Sequence, residues 1–194
     1  MKKIILITWW TGYIGSHWVV AFEEAWYKTV IVDNLSNSNI DTLDWIEKII
    51  LNRPDFYELD LRDKKSLEKV FKKYSFDWVV HFAWMKSVWE SCEKPLEYFD
   101  NNIIWSIYLL ELMEKYNVKN IISSSSATVY DMTSKNAPIL WKWKWEIDWL
   151  SEINHTWTTV NPYWTTKFLF ERILIDLWKF SWFRIANLRY FNPI

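Results

Sequence analysis

Apolar residues along the chain follow two alternating rhythms. Short β-branched or aromatic runs at residues 3–7, 29–32, 55–59, 78–82, 120–124 and 183–189 each predict a buried strand. Between them, residues 13–25, 40–51, 63–73, 95–116 and 163–179 read as helices. Ile103, Ile107, Leu110 and Met113 keep helical spacing in the fourth, and Phe170, Ile173 and Leu177 in the fifth. Pro95 suits the first turn of its helix. Strands and helices in alternation predict an α/β fold, a doubly wound parallel sheet. Residues 131–162 lose the rhythm and predict a long loop between the fifth strand and the fifth helix.

Composition narrows the class. A chain of 194 residues fits a single domain with a sizeable core, and its net charge of −1 gives no general attraction to nucleic acid or to an anionic membrane. Cys92 is the only cysteine, so no disulfide or zinc framework can form within the chain, and a reducing, cytoplasmic setting fits best. No apolar run nears the ~18 residues of a membrane span, and the run after Met1-Lys2-Lys3 is too short for a secretion signal. His17 and His81 fall on a helix and in a buried strand and predict structural roles, while His155 lies in the loop. No cluster has metal-ligand spacing, so no metal is expected.

Two counts are out of proportion. Average usage of about 7% predicts roughly 14 glycines; there are 2, against 17 tryptophans. The first strand leads into "ITWWTGYIGSH", where Gly12, Tyr13, Ile14 and Gly15 have the spacing of a dinucleotide-binding turn but Trp9 and Trp10 stand where such a turn carries glycine. In that layout, backbone N–H groups at a helix N-terminus face a pyrophosphate. Asp33, 18 residues past Gly15 at the end of the next strand, is placed to bind the adenosine ribose hydroxyls, and its charge favours NAD over NADP. The loop sequence "LWKWKWEIDWL", taken literally, is an aromatic and basic ladder of the kind found in single-strand nucleic-acid grooves or at membrane interfaces. With glycine for tryptophan it becomes an ordinary flexible loop, the reading favoured here.

Tyr163 and Lys167, at i and i+4 of a helix, share one face. A nearby ammonium favours phenolate, so the spacing predicts a lowered Tyr163 pKa and a base near neutral pH. Ser126 closes a polar run at the C-terminal end of a strand, where ligands of α/β sheets bind.

With glycine at 9 and 10 the turn reads "ITGGTGYIGSH", which resembles the nucleotide-sugar epimerase branch of the extended short-chain dehydrogenase/reductases. "VDNLSNS" (32–38), "LDLRD" (59–63), "HFAWMKSVWES" (81–91), "YFDNN" (98–102), "SSSATVY" (124–130), "NPYWTTK" (161–167) and "LRYFNP" (188–193) are similar to motifs of that branch across the whole chain. The resemblance implies a Rossmann-type NAD-binding domain over residues 1–194. It also implies a UDP-sugar substrate and a homodimer paired through the helices 95–116 and 163–179. Catalysis falls to Tyr163 as base, with Lys167 and Ser126. Asn34, Leu35, Ser36, Asn37, Ser38, Asp60, Leu61, Phe82, Ala83, Lys86, Asn101, Ser124, Tyr190 and Phe191 join the glycine turn, Asp33, Tyr163 and Lys167 around the cofactor. Lys86, Ser126, Thr128, Tyr163 and Asn192 face the substrate.

The implied reaction is a transient oxidation at C4 of the sugar, the ketone turning over before it is reduced from its other face. A related 4,6-dehydratase would need an acidic pair where this chain has Ala127-Thr128. Another NAD-dependent epimerase or reductase of the superfamily is the alternative, and a non-catalytic aromatic module is the reading if every tryptophan is genuine. The family continues beyond the equivalent of Ile194 into a sugar-nucleotide-binding region, so a fragment is expected, and the choice between UDP-glucose and its N-acetyl counterpart stays open.

The departures from the family's motifs share one direction: at 9, 10, 26, 84, 89, 105 and 164 the family prefers glycine. UGA encodes glycine in some genetic codes and tryptophan in others. A UGA codon read in the wrong code explains all seven, and the same reading extends to most of the remaining tryptophans.

Overall fold

The computed structural model describes residues 2–9, 12–36, 39–82, 84–129, 159 and 161–190. Six strands, β1 (Ile4–Thr8), β2 (Lys28–Asp33), β3 (Asp55–Glu58), β4 (Trp78–His81), β5 (Asn120–Ser126) and β6 (Arg184–Tyr190), form one sheet in the order β3-β2-β1-β4-β5-β6. Every pairing is parallel. This is the doubly wound order, in which the chain reverses direction across the sheet between β1 and β4 and leaves a crevice at their C-terminal ends.

β1 lies inside the sheet, as its apolar run predicts. Its alternation divides it between two cores: Leu6 packs with Val30, Val32, Val79 and Ile121 on one face, and Ile5 and Ile7 with Ile31, Val80 and Val19 on the other. Helices α1 (Tyr13–Glu24), α2 (Asp41–Ile50), α3 (Lys64–Lys73), α4 (Val88–Glu93), α5 (Pro95–Phe99), α6 (Trp105–Lys115) and α7 (Pro162–Ser181) cover the sheet. Several begin on side-chain caps that the sequence supplies. Asp63 accepts from Ser66 N (3.1 Å), Ser87 from Glu90 N (3.3 Å), and Asn161, just before Pro162, from Trp164 N (2.9 Å).

Two elements differ from the sequence reading. The short helix α4 was hidden in a segment of mixed polarity. The single helix expected over 95–116 is divided by a π-helical turn, Asp100–Ile104, which turns Asn101 and Asn102 into the interior. Asn102 uses its whole amide there: Oδ1 accepts from Met85 N (2.9 Å) and Asn101 Nδ2 (2.7 Å), and Nδ2 donates to Met85 O (3.1 Å) and Thr166 Oγ1 (3.0 Å). A widened turn fixed by buried amides leaves no apolar period to read.

The tryptophans occupy backbone that favours glycine in three places. Trp9, Trp26 and Trp182 have φ of 53°, 66° and 60°, in the left-handed region that costs a bulky residue. Trp26 ends α1 in a Schellman arrangement, with Tyr27 N donating to Phe22 O (3.0 Å) and Trp26 N to Glu23 O (3.1 Å). At the end of α6 the same bonds recur, Val118 N to Met113 O (2.7 Å) and Asn117 N to Glu114 O (3.1 Å), around Asn117 at φ 56°. Asparagine is a usual occupant of that position; tryptophan is not. Trp89, Trp105 and Trp164 are helical and carry no such demand. No helix among the described residues is long and apolar enough to cross a membrane.

Candidate active site

The C-terminal edge of the sheet gathers the residues singled out by sequence. At the β1–α1 turn, Gly12 precedes α1 with its carbonyl accepting from Ser16 N (3.1 Å), and a Cβ there would meet nothing within 4 Å. The space beside it faces out of the protein, where a phosphate approaching the helix N-terminus would lie. Gly15 is buried, Ile14 half-buried, and Tyr13 exposed against the His17 ring (4.6 Å).

Asp33 ends β2, 2% exposed, and its Oδ1 accepts from Leu35 N (2.8 Å). Asn34 Nδ2 donates to Asp60 Oδ2 (3.1 Å), and Asn34 Oδ1 accepts from Ser36 N (3.1 Å). Burial alone would raise the Asp60 pKa, but hydrogen bonds from Arg62 and Asn34 hold it below the ordinary carboxylate value. A cleft of about 260 Å³, open solvent included, is lined by Trp9, Val32, Asp33, Asn34, Leu59, Leu61, Asn101 and Trp105. A buried carboxylate with apolar walls beside it suits an adenosine, and Trp9 is one of those walls.

The other end of the crevice lies between β5 and α7. The Tyr163 hydroxyl is hydrogen-bonded to Ser126. Lys167, one turn further along α7 and 3% exposed, donates from Nζ to the Ser124 carbonyl (2.6 Å). Burial drives the Lys167 pKa well down, against the pull of Glu171. Sequence reasoning expected a lowered Tyr163 pKa. In the structure burial raises it, and only the Ser126 hydrogen bond works the other way. Lys167 is not among the groups that shift the phenol. Its Nζ lies 3.9 Å from the Trp84 ring centroid and 5.9 Å from that of Tyr163.

Trp84 occupies the centre of this region. It is 5% exposed, packs against Phe170 (4.8 Å) and His81 (5.3 Å), and buries its indole N–H without a hydrogen-bond partner. A buried donor left unpaired costs about 1–3 kcal/mol, which marks the ring as ill-suited to its place. His81 behaves as a core residue. Thr8 Oγ1 and Ser106 Oγ each lie 2.8 Å from a ring nitrogen, and burial with the nearby Lys167 charge pushes its pKa down to about 3.

The remaining positions scatter more widely. Phe82 N donates to Thr8 O (3.3 Å), and Leu61 and Asn101 are buried beside the cleft. Lys86 is exposed. Tyr190, at the end of β6, accepts from Trp18 Nε1 (3.3 Å), and burial raises its pKa. Trp10, Asn37, Ser38, Ala83, Phe191, Asn192 and most of the 131–162 loop lie outside the described residues, as does the side chain of Thr128. Sequence reasoning missed Asn102 and Glu171. Glu171 had a visible signal, lying four residues beyond Lys167 on the same face of α7.

The family model described as the NAD dependent epimerase/dehydratase family matches residues 5–194. The chain is 42% identical to UDP-glucose 4-epimerase 2 of Arabidopsis thaliana, covering 100% of this chain and 53% of that one. It is 43% identical to the UDP-glucose 4-epimerase of Yersinia enterocolitica, covering 98% and 53%. Among solved structures, UDP-glucose 4-epimerase from Bifidobacterium longum in complex with NAD+ and UDP superposes with a TM-score of 0.86 at 39% identity, covering 99% of this chain and 54% of that one. The Stenotrophomonas maltophila enzyme, with bound NAD and formylated UDP-arabinopyranose, gives 0.86 at 36%, with the same coverage. The chain thus spans about half the length of the relatives it matches. With an Asp33-ended β2, a Ser126–Tyr163–Lys167 cluster at β5 and a family match along almost its entire length, the chain belongs to the NAD dependent epimerase/dehydratase family.

Proposed function

We propose that the protein to which this chain belongs interconverts UDP-glucose and UDP-galactose, with NAD as resident cofactor and residues 1–194 as its NAD-binding domain. The observation that carries this reading is the buried Lys167 bound to the Ser124 carbonyl at the end of β5, with Tyr163 one turn earlier on the same helix beside Ser126. NAD, when bound, supplies the site that takes hydride from C4 of the sugar and gives it back. Asp33 would hold the adenosine ribose, the turn at Gly12 the pyrophosphate, and Lys167 the nicotinamide ribose. Tyr163 accepts the proton of the sugar 4-hydroxyl and returns it after the ring has turned over. Ser126 holds the same oxygen through a hydrogen bond and fixes the angle of proton transfer. For Tyr163 to work near neutral pH, the Lys167 ammonium must swing from the Trp84 face toward the phenol. A glycine at 84 frees that path.

Glycine in place of Trp9, Trp10, Trp26, Trp84, Trp89, Trp105 and Trp164 forms part of the same reading, and the backbone adds Trp182. The left-handed backbone at 9, 26 and 182 and the orphaned indole N–H at 84 support it independently of any motif. Peptide mass spectrometry of residues 3–20 from the native organism tests it, and tryptophan at 9 or 10 overturns it. A cytoplasmic homodimer completes the proposal, supported by apolar Leu96, Ile104, Trp178 and Phe180 exposed on the α5–α6 segment and α7. Sedimentation as a monomer at micromolar concentration would remove that part.

The test of activity uses the full-length protein with glycine at those positions, supplied with UDP-galactose and a coupled assay for UDP-glucose. Turnover is expected, with Tyr163→Phe lowering it about 10²–10⁴-fold while NAD stays bound. A protein that binds NAD yet leaves UDP-galactose untouched would shift the assignment to another epimerase or reductase of the family.

A further inference from the structure

Behind the reacting groups lies a buried ion pair that the mechanism above does not use. Glu171, 2% exposed, stands on α7 one turn past Lys167 and two past Tyr163. Its Oε1 accepts from Ser125 Oγ and from Arg189 Nε (3.0 Å), and its Oε2 from Arg189 Nη2 (2.7 Å). Ser125 and Arg189 are direct register partners on β5 and β6, so one carboxylate ties two strands to the helix. The place of that tie matters. Ser125 is flanked by Ser124, whose carbonyl receives Lys167, and by Ser126, whose hydroxyl bonds Tyr163. The strand and the helix that must hold these two contacts in register are therefore joined between them.

We propose that Glu171 is a positioning residue for the Tyr163–Lys167 pair, locking α7 to β5 between the two contacts and setting its negative charge on the Lys167 side of α7. This rests on the reading of Tyr163 as base and Lys167 as its cationic neighbour. Among the described residues around Lys167, Glu171 is the source of negative charge. From α7 come Glu171 and Tyr163; from β4 comes His81, neutral in its burial; from β5 comes the Ser124 carbonyl; and from β6 comes Arg189, bound to Glu171. The Trp84 ring covers the ammonium from the remaining side. Opposing burial, Glu171 raises the Lys167 pKa. A planar two-point pairing with Arg189 fixes the carboxylate in direction.

The test uses the full-length protein with glycine at the positions named above. In protein carrying ¹⁵N-labelled lysine, the Lys167 ammonium is titrated by NMR without substrate, and the pH profile of epimerisation is measured beside it. Glu171→Gln should move the Lys167 titration to lower pH by about 1–2 units and carry the alkaline limb of the activity profile down with it. Glu171→Asp, which keeps the charge on a shorter stem, should leave both near the parent even where the rate falls. If Glu171→Gln fails to fold, the double change Glu171→Met with Arg189→Met, which leaves neither member of that ion pair buried without the other, takes its place and should still move the titration downward. A lower melting temperature or rate with an unmoved Lys167 titration would overturn the proposal and leave Glu171 a structural brace. Because the titration needs no substrate, an inactive parent would count against the epimerase reading without deciding this one.

Discussion

The two ends of the crevice are built on opposite principles. At the β5–α7 end, the proposed function belongs to side chains. Ser126 meets Tyr163, Lys167 meets the Ser124 carbonyl, and Glu171 with Arg189 closes the cluster from behind. At the β1–α1 end, the proposed function belongs to bare backbone, and there Trp9 lines the cleft in left-handed conformation. Trp84 lies in the catalytic half yet follows the rule of the turn, a ring where open space is needed. A change that exchanges glycine for tryptophan leaves side-chain chemistry legible and erases sites whose chemistry consists of having no side chain.

The largest effect should come from separating those two kinds of site. In the full-length protein, glycine at 9 and 10 with Trp84 kept should restore NAD binding, measured by calorimetry, but leave turnover at least ~10²-fold below that of the protein with glycine at all three. Glycine at 84 alone should restore neither. If glycine at 84 alone restores NAD binding, the turn is not the obstacle and the comparison fails.

His81, on β4 between the two ends, gives the next effect. Its folded pKa of about 3 lies below the ordinary histidine value of about 6.5. The unfolded chain therefore binds a proton that the folded one refuses. The resulting stability is fully present above pH ~6.5 and is lost as pH falls toward 3, by up to about 1.4 kcal/mol per pH unit within that window. Urea unfolding between pH 7 and 4 should show the loss. His81→Gln should flatten that part of the slope, and an unchanged slope would mean that the ring is protonated in the fold.

The smallest effect compares two helix ends. Trp26→Gly should stabilise the fold by about 1 kcal/mol through relief of left-handed strain, read as a rise in melting temperature. Asn117→Gly, at the matching end of α6, should change it by a few tenths of that, since asparagine already tolerates the conformation. Equal responses would show that Trp26 is not strained.

The order of elements was legible because β1, β2 and β4 are buried on both faces and read as unbroken apolar runs. The Tyr163–Lys167 pair was legible because helical spacing fixes which residues share a face. Asn102 was not, because its four hydrogen bonds reach Met85, Asn101 and Thr166, and only the π-helical turn brings these together. The direction of the Tyr163 shift also escaped, since spacing shows that a cation is near but not where it points.

The sequence by itself determined what depends on period and residue type: the parallel α/β order, the acid that ends β2, and the serine, tyrosine and lysine brought together at β5 and α7. Only the tertiary structure decided what depends on distance and surroundings. It turned Lys167 toward the Ser124 carbonyl, set Glu171 against Ser125 and Arg189, and sealed His81 from protons. Charges, hydrogen bonds and burial act across space between segments far apart in the chain, and no local pattern records which segments will meet.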